Sequence, residues 1–177
     1  MIRMAFVIAV LAAGCSDQEM DGGPVRPVTM SEDAVGHYCQ MNVLDHSGPK
    51  AQLHLAGNEH PLWFVQIRDA FAYDRMPEQT ERVTAIFVSD MGAPDAAWEQ
   101  PGADNWIRAQ DAYYVIDSRK RGGMGASEFI PFAQKSEAEQ FAMLEGGRVI
   151  PYAEITDEAV LAPEEVEIPQ DLPSGGS

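Results

Sequence analysis

Basic charge is scarce in this chain, cysteine is scarcer, and long apolar runs are missing. The 12 lysines and arginines face 28 aspartates and glutamates, a formal charge of -16 over 177 residues. Such a surface repels phosphate, which excludes a charge-driven grip on DNA, RNA or anionic lipid. No apolar stretch reaches the roughly 18 to 20 residues that a membrane-crossing helix needs. Glycine-rich phosphate or dinucleotide fingerprints are absent, and no two carboxylates stand at a spacing that argues for general acid and base work. What is present is the 45% hydrophobic content of a globular protein, enough for one domain of ordinary size or two small lobes sharing a core.

The short apolar run Met4 to Ala13 follows Arg3 and leads to Gly14 and Cys15, the layout of an export signal. Leu11-Ala12-Ala13-Gly14-Cys15 resembles a bacterial lipobox, in which the cysteine is lipidated and becomes the mature N-terminus. The alternative is a secretory signal cleaved nearby. Residues 1–14 are read as the signal peptide and 15–30 as a lipidated, flexible tether rich in Gly, Pro, Asp and Gln. Several acyl chains on Cys15 anchor a protein firmly, because each buried CH₂ contributes roughly 0.8 kcal/mol. Ser16, rather than Asp, slightly favours an outer membrane. At the other end, residues 162–177 carry Glu164, Glu165, Glu167 and Asp171 and no basic residue, and read as a disordered acidic tail.

Between these ends the pattern predicts an α+β fold. Val35 to Val43 and Ala51 to Ala56 read as a hairpin, Gln66 to Arg75 as a helix, and Val83 to Val88 as a central strand. A second passage repeats the grammar, with strands at Ala112 to Ile116 and Ala126 to Phe132. A helix at Ser136 to Leu144, capped by Ser136, and a closing strand at Arg148 to Tyr152 complete it. The expectation is two ββαβ lobes, about 31–95 and 96–161.

Once Cys15 carries lipid, Cys39 is the one thiol left. In an exported protein such a thiol is a metal ligand, a reactive group, half of an intermolecular disulfide, or a buried small hydrophobe. Its neighbours are His37-Tyr38-Cys39-Gln40-Met41. If extended, the segment puts His37, Cys39 and Met41 on one face, with Cα atoms of Cys39 and Met41 about 6.6 Å apart. Two sulfurs on one metal, each at about 2.3 Å, come within about 4.6 Å of one another, and the Met41 arm closes that gap. Thiolate with thioether is a soft set that selects Cu(I) over zinc. Met124 stands between Gly123 and Gly125, where it is either an accessible thioether or a partly packed hairpin residue; Met91 is a weaker candidate of the same kind. His37 in the strand and His46 in the following turn are the imidazoles near Cys39, whereas His54 and His60 read as structural.

Taken together, the lipobox, Tyr38-Cys39-Gln40-Met41, His46-Ser47-Gly48-Pro49-Lys50-Ala51-Gln52, Gly123-Met124-Gly125 with Phe129 and Phe132, and Gly146-Gly147-Arg148-Val149 resemble the NosL family of nitrous oxide reductase accessory lipoproteins. Gln40 replaces the glycine of the family's usual Cys-Gly-Met, which keeps both sulfur ligands and bears on how the backbone turns between them. The resemblance implies two ββαβ lobes related to an organomercurial lyase, and a periplasmic Cu(I) chaperone rather than an enzyme. It implies delivery of copper to nitrous oxide reductase for its copper–sulfur site, in company with an ABC-type transporter complex and its periplasmic subunit. Cys39, Met41 and Met124 are then the ligands, with His46 or His37 as a further donor. The rival readings are a thiol-dependent enzyme, which lacks a second free thiol, and a metal-free interaction scaffold.

Overall fold

The computed structural model describes residues 24–163; Cys15, the signal peptide and most of the acidic tail lie outside them. Two antiparallel sheets form the frame. β1 (Ala51–Leu55), β2 (Leu62–Phe64), β3 (Val83–Ser89) and β4 (Trp106–Arg108) make the first, in the order β2-β1-β3-β4. β5 (Tyr113–Ile116), β6 (Ile130–Phe132) and β7 (Arg148–Pro151) make the second, in the order β6-β5-β7. Helix α1 (Ile67–Arg75) follows β2, α2 (Lys135–Glu145) follows β6, and α3 (Asp157–Leu161) closes the described chain. Each sheet thus contains a strand–strand–helix–strand run, and the fold is α+β.

The β-branched and aromatic run of β3 lies between β1 and β4 and is buried over most of its length, as a central strand must be. One core joins the sheets: Leu53, Phe64 and Val88 from the first, with Ile67 and Phe71 from α1, share a cluster with Tyr114, Ile116 and Ile150 from the second and with Phe129. Tyr114 satisfies its buried hydroxyl by donating to the Ala109 carbonyl at 2.7 Å.

Several expectations are corrected. Val35 to Val43 is not a strand: Val35 and Asn42 form an isolated bridge and the residues between them turn back. The partner of β1 is instead Leu62–Phe64, from a stretch whose mixed periodicity concealed a short strand before the helix. β4, from the stretch assigned to the second lobe, pairs with β3 in the first sheet, so a boundary at residue 95 cuts through that sheet's contribution. Only Ile130–Phe132 of the expected 126–132 strand is extended. Helix α2 begins at Lys135 with Gln134 at its N-cap and no side-chain cap bond, so Ser136 lies inside the helix and caps nothing. The last residues of the expected tether are also pinned. The Val25 carbonyl accepts from Arg108 Nη2, both backbone groups of Val28 bond the Gln52 amide, and Met30 is buried with its N–H on the Ala103 carbonyl. The buried Gln52 needs those bonds, since an unpaired amide inside a sheet is costly.

Candidate metal centre

Cys39 lies in a closed turn. Gly36 donates its N–H to the Met41 carbonyl at 2.9 Å, and Gln40 donates its N–H back to the Gly36 carbonyl at 2.9 Å. Gln40 has φ 56, the left-handed region that glycine occupies without a steric cost. Its side-chain amide compensates by donating to the His37 carbonyl at 2.6 Å and toward that of Gly36 at 3.4 Å. This left-handed residue explains why the period-of-two argument fails: His37, Cys39 and Met41 do not share a strand face. A Cβ on Gly36 would stand 2.5 Å from Cys39 Sγ, so the sulfur occupies the space that this glycine leaves. Cys39 is half-buried against the cluster of Met30, Ala34, Val43 and Val65, while Met41 is 43% exposed.

The Met124 loop arrives from the second sheet. Arg121 and Ser127 bridge at its base, Gly122 donates to the Ala126 carbonyl, and Gly125 turns the chain at φ 83. Gly123 lies so close to its neighbours that a Cβ would meet His46 Cβ and the Ser47 carbonyl at 2.9 Å and the Val65 carbonyl at 3.1 Å. Met124 itself is 47% exposed, and its N–H donates to Gln66 Oε1 at 3.0 Å. Both sulfur-bearing loops therefore converge on Val65 and Gln66, the link between β2 and α1.

His46 completes the arrangement. Its Nδ1 lies 3.1 Å from the Gly123 carbonyl, an acceptor only, so that nitrogen carries the proton. In the neutral ring Nε2 then offers a lone pair, and among the described residues it is buried with no hydrogen-bond partner. An imidazole whose Nδ1–H is held by a carbonyl is oriented as metal-binding histidines are. His37 is placed differently: its ring packs edge-on to Tyr73 at 5.2 Å and against Phe64 at 5.6 Å and Tyr38 at 5.2 Å. Met91 packs against the cluster of Val115, Ile130, Phe132 and Ala138, away from Val65.

Three polar residues to which the sequence assigns no role support these loops. Lys50, almost wholly buried, donates through Nζ to the Ser47 and Gly48 carbonyls at 2.9 and 2.6 Å, which staples the loop that carries His46. Burial pushes its pKa down to about 8 despite the nearby Glu128 and Glu99 carboxylates. Glu128, equally buried, reaches across to the start of α1 and accepts the N–H groups of Ile67 at 3.1 Å and Arg68 at 3.2 Å. It supplies the side-chain cap that Gln66, at the N-cap, does not provide. Burial outweighs those bonds and that of the Phe129 N–H, and pushes the Glu128 pKa up to about 8. The third is Gln66. In the sequence Gln66 and Glu128 show only as polar residues beside apolar ones, and Lys50 only as a member of the His46–Gln52 motif.

Among the described residues, no three His, Cys, Asp or Glu side chains gather closely enough to hold a metal. A thiol, a thioether and an imidazole are soft donor types. The class of protein is a two-sheet α+β fold whose Cys39 turn and Met124 loop meet beside His46 at the link between β2 and α1. The comparisons narrow this further. The NosL family model matches residues 27–160, and the chain belongs to the NosL family. The copper-binding lipoprotein NosL of Achromobacter cycloclastes is 49% identical over 164 residues, spanning 93% of this chain and 85% of that one. Its counterpart from Stutzerimonas stutzeri is 31% identical over 158 residues, spanning 89% and 80%. The crystal structure of the copper chaperone NosL from Shewanella denitrificans matches with a TM-score of 0.70 at 29% identity, covering 76% of this chain and 98% of that one. All three are named for binding or carrying copper, none for catalysis.

Proposed function

We propose that this protein is a copper chaperone that holds Cu(I) through Cys39, Met41 and Met124, with His46 Nε2 as the further donor, and surrenders it to an acceptor. The observation that carries the reading is the convergence of the Cys39 and Met124 loops on Val65 and Gln66, beside a buried imidazole nitrogen that nothing else uses. The donor chemistry favours the monovalent ion, because thioethers bind soft Cu(I) and contribute little to harder divalent metals. The exposure of Met41 and Met124 leaves the ion open to attack by an acceptor's ligand, which is what transfer requires. The names of the relatives support copper as the cargo.

The acceptor in this reading is nitrous oxide reductase, whose copper–sulfur site the protein helps to mature, together with the ABC-type transporter complex and its periplasmic subunit. The chain works in the periplasm, tethered by lipid on Cys15, with Ser16 favouring the outer membrane. The test is titration of the reduced protein with Cu(I) against a competing colorimetric chelator, in parallel with Cys39→Ser, followed by transfer to copper-free nitrous oxide reductase. Tight uptake that Cys39→Ser abolishes, with the copper then appearing in the reductase, is the expected result. If the wild type fails to compete for Cu(I), the reading is wrong and a metal-free interaction scaffold takes its place.

A further inference from the structure

Gln66 is only 3% exposed, yet its side chain makes no cap hydrogen bond to the backbone of the helix it precedes. Its side-chain oxygen points away from its own helix and accepts the Met124 N–H at 3.0 Å. The loop is pressed onto it: a Cβ on Gly122 would lie 2.8 Å from Gln66 Oε1 and 3.0 Å from its Cγ. The other end of the amide is held only loosely, with Nε2 3.4 Å from Asp69 Oδ2. The backbone of Gln66 is fixed by the helix that follows, whose first two N–H groups are taken by Glu128. Immediately before Gln66 stands Val65, a member of the cluster against which Cys39 packs. Beside the direct approach of Gly123 to the Val65 carbonyl, a second connection between the two sulfur-bearing loops thus runs from Cys39 to Val65, along one peptide bond to Gln66, and through its side-chain carbonyl to the Met124 N–H.

We propose that Gln66 is a positioning residue: its side-chain carbonyl fixes where the Met124 thioether stands relative to Cys39, and so sets the soft-metal affinity of the site. The inference rests on the copper reading above. Within its own loop Met124 is flanked by glycines, which impose no side-chain packing of their own, so an external acceptor has to define its place. Groups that orient metal ligands in this way typically contribute about 10- to 100-fold in affinity.

The test is a cycle of Gln66→Leu, Met124→Ala and the double variant, with Cu(I) affinity read by chelator competition. Leucine keeps the volume and removes the acceptor. The expected result is a loss on the order of tenfold for Gln66→Leu in the wild-type background and no further loss in Met124→Ala. A residue that merely holds the fold together would lower affinity equally in both backgrounds, and that outcome overturns the proposal. A second readout needs no metal: with methyl-labelled methionine, the Met124 resonance shifts in Gln66→Leu while those of Met30 and Met143 stay in place. Gly122→Ala drives a methyl onto the same carbonyl and, at the same 2.8 Å, onto Glu128 Oε2; it gives a Met124 shift too, and Glu128→Gln, which leaves the Met124 resonance in place, separates the two contacts. Should the wild type take up no copper, the copper reading fails, and the methyl shifts alone decide whether Gln66 places Met124; an unmoved Met124 resonance in both Gln66→Leu and Gly122→Ala refutes the placement.

Discussion

The Cys39 turn and the Met124 loop are built from similar parts and held in opposite ways. Each is a short reversal with a glycine at a point of close approach, one residue at positive φ and one exposed methionine. The Cys39 turn is tied by its own backbone, through the paired Gly36, Gln40 and Met41 bonds, and it tucks its sulfur inward over Gly36. The Met124 loop is tied mainly by residues distant in sequence, Gln66 and His46, and it turns its thioether outward. In the proposed copper site the difference suits a carrier: Cys39 on a self-contained turn would anchor the ion, and the Met124 thioether on a docked arm would close over it or let it go.

Substitutions that separate the two loops test this contrast, and the largest effect belongs at Gly36. Gly36→Ala puts a methyl where Cys39 Sγ now lies, 2.5 Å away, so Cu(I) affinity in chelator competition falls nearly as far as in Cys39→Ser. Overpacking of this kind costs about 1–3 kcal/mol of stability as well, which urea unfolding measures. Gly123→Ala comes next. Its methyl meets backbone carbonyls of Ser47 and Val65, which cannot swing aside, so the arm lifts away and copper affinity falls to the level of Met124→Ala while the Cys39 turn keeps its thiol reactivity.

The third effect is on pH dependence and falls on the arm's side alone. Burial holds the Glu128 pKa at about 8 in the folded chain, against about 4.3 in an unfolded one. The folded state therefore keeps a proton that the unfolded state has lost, and stability, full below about pH 4, declines as pH rises toward 8. Melting temperatures at pH 5 and pH 7.5 should show this fall, and Glu128→Gln should flatten it. A residual slope stays, because burial raises the pKa of Asp69 and Asp74 in the same direction. Lys50 acts with the opposite sign and only above about pH 8, where the folded chain has shed a proton that the unfolded one keeps. The smallest effect is at Gln40. Gln40→Gly relieves the left-handed backbone but forfeits the amide bonds to the His37 and Gly36 carbonyls, so the net change in unfolding free energy stays below about 1 kcal/mol.

The frame of the molecule is more legible in the sequence than the site. β3 shows itself as a β-branched and aromatic run, and α1 ends where Pro77 approaches. The alternation of short strands with two helices predicts the α+β fold. The site is legible as a composition: a lone thiol two residues from a methionine, and a methionine between glycines. Its geometry is not. His37-Tyr38-Cys39-Gln40-Met41 alternates as a strand does, and only the left-handed Gln40 reveals a turn. The family's usual glycine at that place marks the same backbone need, which Gln40 meets at a cost. The roles of Gln66, Glu128 and the His46 tautomer depend on partners 58, 61 and 77 residues away, and no local pattern encodes such distances.

In the proposed copper site the two loops hold a single ion. X-ray absorption at the copper edge of the Cu(I)-loaded protein, with Met124→Ala measured alongside, decides whether they do. The expected spectrum has a shell of sulfur neighbours at about 2.3 Å that loses amplitude in Met124→Ala while the Cys39 contribution persists. A spectrum that Met124→Ala leaves unchanged would contradict it, and would leave the Cys39 turn to hold copper without the arm.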